Sequence, residues 1–359
     1  MNKVKRNSGI ELLRIVCMLM ILVLHYCSKG GFISLQVFKS GLSEMSWVAR
    51  AFSIVAVNCF VLTTGYFSIK SKCDYKKVLK IWGQTIFYSI TIFLVFKIFL
   101  NTDLSLKESL PYFFPIMLKT YWFISIYIIL YLLAPYINIS INNIDKKLFK
   151  KLLIILLTIT SLSSIFNGFK LETIDKSNGY GILWFVTLYC IGAYIRLYGK
   201  EKYNISMCLV KYIIISLLIY CSRILLWRLS EKGIFSNDIN YDMFYTYNSI
   251  TVAISSIYLF LFFKNIKVRL FEKVVLKIAP LTLGVYIIHE TPIIINILYT
   301  DILHTNCIHS IKWFVVSLPV SCFAIFIVCC GIEFIRTKIF EFILYIKNKI
   351  KEEKLMVGK

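Results

Sequence analysis

Acidic residues are scarce in this chain of 359 residues: 19 Asp and Glu stand against 41 Lys and Arg, for a formal net charge of +22. In a soluble protein that imbalance would suggest nucleic acid. Here the cations fall in connections between apolar runs, so they read as topology signals and contacts with anionic membrane lipid, and no nucleic-acid partner is expected. Long polar stretches, low-complexity linkers and convincing internal repeats are missing, which leaves no room for a soluble domain. Alternating strands of the outer-membrane barrel type are absent. None of the 11 cysteines forms a C-x-x-C pair. Most lie scattered inside apolar runs, and adjacent Cys329 and Cys330 cannot easily bridge each other. They read as small packing residues, with neither a disulfide framework nor a zinc site, and no metal is expected. Lys3, Lys5 and Arg6 precede the first apolar stretch, but no small-residue cleavage site follows it, so it reads as a retained helix rather than a signal peptide.

What the chain has in quantity is apolar surface: 58% hydrophobic residues and a mean hydropathy of +0.73. A soluble fold of this length could not hide so much, and the expected class is an all-α, polytopic transmembrane bundle. Ten spans are expected, near 10–28, 48–69, 79–100, 119–138, 150–168, 180–198, 208–228, 245–263, 278–299 and 313–335. Lys and Arg crowd alternate connections: Lys70, Lys72, Lys76 and Lys77; Lys146, Lys147, Lys150 and Lys151; Arg196, Lys200 and Lys202; Lys264, Lys267, Arg269, Lys273 and Lys277; and the tail from Arg336 onward. The intervening connections are poorer, and the alternation places both termini on the cytoplasmic side. The domain reading is a membrane domain over 1–336 and a basic, amphipathic cytoplasmic tail over 337–359 lying near the lipid surface.

The most informative stretch is 11–25, ELLRIVCMLMILVLH. Arg14 and His25 sit inside an apolar helix. Eleven residues turn about 1100°, so the two side chains lie within about 20° of one face, some ~16.5 Å apart along the axis. An ionisable group inside a membrane helix costs about 2.5–3.5 kcal/mol on insertion scales, so two on one face mark a polar route or a reaction centre rather than decoration. Histidine, with its pKa near neutrality, suits a general base or acyl relay. Glu11, three residues before Arg14, is placed to pair with it.

Glu-Leu-Leu-Arg, ten residues and His resembles the first-helix signature of the acyltransferase 3 family of bacterial membrane-bound O-acyltransferases. Further stretches agree in order along essentially the whole chain. Asn58 to Phe67 resembles the family's Phe-Phe-x-x-Ser-Gly-Phe segment, with Thr64 in place of Ser. Lys77 and Lys80 occupy its Arg-x-x-Arg positions, with Lys lacking the bidentate fork of Arg. Trp122-Phe-Ile with Tyr131 and Pro135 resembles its Trp-Phe-Leu…Tyr…Pro helix, and Leu283 to His289 its Ser-Tyr-Leu-x-His stretch. The extracytoplasmic hydrolase-like domain of some members is not expected here. The resemblance implies a bacterial cell-membrane enzyme that takes an acetyl or other short acyl group from cytoplasmic acyl-CoA, with acetyl-CoA as the implied donor. The implied acceptor is a hydroxyl of a cell-surface polysaccharide or its lipid-linked precursor. His25 and Arg14 would be its catalytic groups, and Lys77, Lys80 and Arg14 would hold the donor phosphates.

Glu11, Trp122, Tyr286 and His289 are supporting candidates. His289 has Tyr286 one turn earlier and Glu290 beside it, and a structural, hydrogen-bonded histidine is the competing reading. His304 and His309 read as surface residues. Asn237, Asp238, Asn240 and Asp242 could touch a sugar but read more simply as a solvated loop. Trp184 and Tyr189 read as helix-end anchors. The rival to the enzyme is an exporter of a polysaccharide or small metabolite, in which Arg14 and His25 line a conduit. It lacks the inverted repeats with broken helices that transporters show. The sequence leaves room for a homo-oligomer.

Overall fold

The computed structural model describes residues 6–71, 74–99, 104–235 and 238–357. Lys3, Lys5, Lys72 and Asn237 lie outside the described residues. Among the described residues there are helices and no strands. In chain order they are α1 (Ser8–Lys29), α2 (Gly41–Ser53), α3 (Ala56–Ser68), α4 (Tyr75–Phe99), α5 (Leu106–Phe113), α6 (Trp122–Asn142) and α7 (Lys146–Gly168). Then come α8 (Ile182–Tyr198), α9 (Ile205–Glu231), α10 (Ile250–Asn265), α11 (Glu272–Ile278), α12 (Thr282–His289), α13 (Pro292–Ile297) and α14 (Ile311–Val357).

The ends are set by local chemistry. Asn7, Ser40, Asp145 and Asn204 each accept a backbone N–H of the first turn they precede, at α1, α2, α7 and α9. α5 opens on a capping box between Ser105 and Glu108.

Eight helical stretches are long and apolar enough to cross a membrane, with α2 and α3 counted together as Gly41–Ser68. α11–α12 and the helices after Pro292 form a further apolar pair bent by 74°, and α8 is an apolar helix of 17 residues. The chain is therefore an all-α, multi-pass membrane protein. Three details differ from the sequence reading. The second span begins at Gly41 rather than near 48 and is interrupted at Ile54 and Val55. The ninth apolar run is not one rod but breaks after His289, where Thr291 and Pro292 start a new helix. The last helix runs unbroken past 336, so the basic tail prolongs the final span.

α1 is the central post, packed against α2, α3, α10, α11, α12 and α14. α3 and α8 make the closest pair. Gly65 of α3 faces the Tyr189 carbonyl and Gly192 of α8 faces the Leu62 carbonyl, so closely that a Cβ at either would collide with backbone. Small residues bring membrane helices together in this way. Outward faces are apolar instead of polar: Val316, Val320, Phe323 and Ile327 of α14 are all exposed.

Candidate active site

α1 presents Arg14, Met18 and Ile21 to a cavity of about 230 Å³, also walled by Phe60 and Thr64 of α3, Ile81 of α4, Phe123 and Tyr127 of α6, and Leu283 and Tyr286 of α12. The positions i, i+4 and i+7 share a helix face, and the next step, i+11, is His25. Arg14 thus marks the end of the cavity nearer the α1 N-terminus. His25 stands one turn beyond Ile21, about 6 Å further along the axis.

His25 meets the end of α12. Its Nδ1 lies 2.9 Å from Nε2 of His289 and 2.9 Å from Oε2 of Glu290. His289 is buried, and its Nδ1 is 2.6 Å from the Val285 carbonyl. A carbonyl only accepts, so Nδ1 of His289 carries the proton and its Nε2 presents a lone pair. His25 then donates Nδ1–H to His289, which leaves Nε2 of His25 as the bare lone pair. Among the described residues nothing bonds to that nitrogen. This is the tautomer a general base needs, fixed through a neighbour's backbone bond.

The single Nδ1–H has two acceptors and one good bond to give. Glu290 Oε2 is buried and has no hydrogen-bond partner of good geometry. The carboxylate beside Nδ1 is set to compensate the positive charge that appears when Nε2 takes up a proton. His25, His289 and Glu290 also have the ligand types of a metal site, with ligand atoms within 4.8 Å of one another. Their 2.9 Å contacts are hydrogen-bond spacings.

Tyr286 lines the cavity, with its ring centroid 6.1 Å from that of His289. Its hydroxyl is buried and makes no hydrogen bond of good geometry. On the opposite wall the Thr64 and Tyr127 hydroxyls meet at 3.0 Å. Trp122 packs in an aromatic cluster with Tyr180 and Tyr247, at ring distances of 4.5 and 5.8 Å.

At the other end of the cavity, Glu11 holds Arg14 at 3.4 Å and Arg6 at 2.8 Å, so the carboxylate offsets both guanidinium groups. Lys77 and Lys80 are exposed at the start of α4 and do not line the cavity themselves. Lys77 is four residues before Ile81, a wall residue, and so lies on the same helix face one turn nearer the end.

The structure therefore gathers His25, His289 and Glu290 about one turn of α1 beyond a cavity that Arg14 and Tyr286 line. It does not bring in the loop acids. Lys170, by its hydrogen bond and its charge, holds the Asp238 carboxyl below its usual range. Asn240 donates its backbone N–H to Gly168. Trp184 and Tyr189 are not helix-end anchors: both are fully buried, donating to Asn58 and Asn138. His304 and His309 are exposed. Glu290 was visible in the sequence only as a neighbour of His289. An acid inside an apolar run is the signal that should have promoted it.

No curated protein and no solved structure matches the chain. The profile of the acyltransferase domain family matches residues 7–333 of the 359, and the chain belongs to that family, the acyltransferase 3 family.

Proposed function

We propose that this membrane acyltransferase moves an acetyl or other short acyl group from cytoplasmic acyl-CoA to a hydroxyl of a cell-surface polysaccharide or its lipid-linked precursor in a bacterial cell membrane. The observation that carries the reading is the His25 tautomer. Nδ1–H is held between His289 and Glu290, and Nε2 is left without a partner one turn of α1 beyond a cavity that Arg14, Met18 and Ile21 line.

His25 Nε2 takes the proton of the acceptor hydroxyl as its oxygen bonds to the thioester carbonyl carbon. The carbon–sulfur bond then breaks, and the imidazolium returns its proton to the departing thiolate. Glu290 offsets the imidazolium charge while it lasts. The Tyr286 hydroxyl, unbonded in the cavity wall, is the donor available to the carbonyl oxygen as negative charge develops there. Arg14, with Lys77 and Lys80 at the start of α4, supplies cations for the donor phosphates. The apolar middle of the cavity suits an uncharged arm between phosphate and thioester.

The test uses purified protein in lipid vesicles with labelled acetyl-CoA on one side and oligosaccharide on the other. The native chain is expected to place label on the sugar and His25→Ala to place none. Label that reaches the sugar equally with both proteins contradicts the assignment. Sugar that crosses unlabelled, and crosses less with His25→Ala, supports the conduit instead.

A further inference from the structure

Two arginines flank the indole of Trp47 on α2, and they differ in one respect. Arg223 of α9 lies 4.4 Å over the ring and is held by four hydrogen bonds: it donates to both oxygens of Glu44 at 3.2 and 3.3 Å and to the carbonyls of Ser34 and Leu35. Glu44 also accepts from Tyr220 and from the Phe38 backbone, so its carboxylate is used up. Arg50 lies 5.3 Å from the same ring and has no ion pair and no hydrogen bond among the described residues; its Nε is buried and unpartnered. It sits inside the span Gly41–Ser68. An arginine within the bilayer that meets no acid and no carbonyl is expensive, and an anion is the partner that would satisfy it.

Its place is informative. Ser43, Ser46, Trp47 and Arg50 follow one another at i, i+3, i+4 and i+7 along one face of α2. Ser43 lines a cavity of about 600 Å³ beyond the C-terminus of α1, whose cationic walls are Lys29 and Lys39 and whose lining includes no acid. One turn further in, Ser46 meets the Cys27 thiol of the antiparallel α1. Arg50 is another turn on, about 6 Å deeper, which puts it within about 3 Å of the depth of His25. A cationic mouth thus stands above an unpaired guanidinium on the same face of α2, at about the depth of His25 on α1.

We infer that the acceptor carries an anionic group, a carboxylate or a phosphate, and that Arg50 binds it while Lys29 and Lys39 draw it in. The inference deepens the acyl-transfer reading by naming the class of acceptor, but the binding can be measured without any transfer.

The full-length protein in detergent would be titrated calorimetrically with three matched sugars: cellobiouronic acid, cellobiose 6-phosphate and neutral cellobiose. The native chain is expected to bind one or both charged sugars at least tenfold more tightly than cellobiose. The charged sugar preferred tells carboxylate from phosphate. Arg50→Gln is expected to remove that preference, and Arg50→Lys, which keeps the charge, to retain most of it. Cellobiose binding as tightly as the charged sugars overturns the inference even if Arg50→Gln does not fold. So does binding of none of them, or an undiminished preference in Arg50→Gln. Failure of the acyl-transfer reading would show elsewhere, as sugar labelling that does not depend on His25.

Discussion

His25 is useful because of what its other nitrogen does. With Nδ1–H committed to His289 and facing Glu290, Nε2 has no choice but to accept. Removing the base should cost about 10²- to 10⁴-fold in rate, so His25→Ala is expected to abolish measurable transfer. Glu290→Gln keeps the shape of the carboxylate but not its charge. It should lower kcat while leaving KM for acetyl-CoA near native, a split that steady-state labelling measures. Equal kcat in Glu290→Gln and the native chain would remove Glu290 from the account. At the other end, Lys77→Gln with Lys80→Gln should raise KM for acetyl-CoA and leave acetyl-pantetheine, which lacks the nucleotide phosphates, unaffected. An equal rise for both donors would mean that these lysines do not read phosphate. Arg14 and His25 were legible in the sequence because a charge interrupts an apolar helix at a spacing that returns to one face. Arg50 carries the same signal within 48–69, but no periodic partner pointed to it. The convergence of Glu290 with His25 depends on how α12 ends against α1, which no local pattern encodes.

Elements here are held by close backbone approach and by a few buried polar ties. Gly65 and Gly192 let α3 and α8 touch at Tyr189 and Leu62. Gly192→Leu should separate them at a cost of about 1–3 kcal/mol, seen as a lower midpoint in thermal unfolding in detergent. The Gly-Tyr-Phe motif that includes Gly65 thus owes part of its form to packing. Arg223 and Glu44 tie α9 to the start of α2 in the core. Glu44→Gln leaves a buried charge uncompensated, which typically costs about 3–5 kcal/mol. The double change Glu44→Leu with Arg223→Leu should recover much of that loss. No recovery would show that the pair does more than neutralise itself. The spans were legible as apolar runs because the bilayer demands them. The interruption at Ile54–Val55 and the break after His289 were not, since both segments read as continuous apolar sequence and only Pro292 hinted at a stop.

At the scale of the whole molecule, the bundle wraps α1 so that one of its faces lies open to a cavity at Arg14 and closes on α12 at His25. The proposed transfer needs that division: a donor site toward one end, an acceptor site toward the other, and one base between them. The alternation of Lys and Arg along the chain predicts that the Arg14 end of such a bundle faces the cytoplasm. The measurement that bears most directly on this account compares surface polysaccharide from cells carrying the native chain with that from cells carrying His25→Ala, at equal protein level, by proton NMR. The account predicts that O-acetyl signals present with the native chain vanish with His25→Ala while polymer yield is unchanged. Undiminished O-acetyl signals alongside a fall in exported polymer would contradict it.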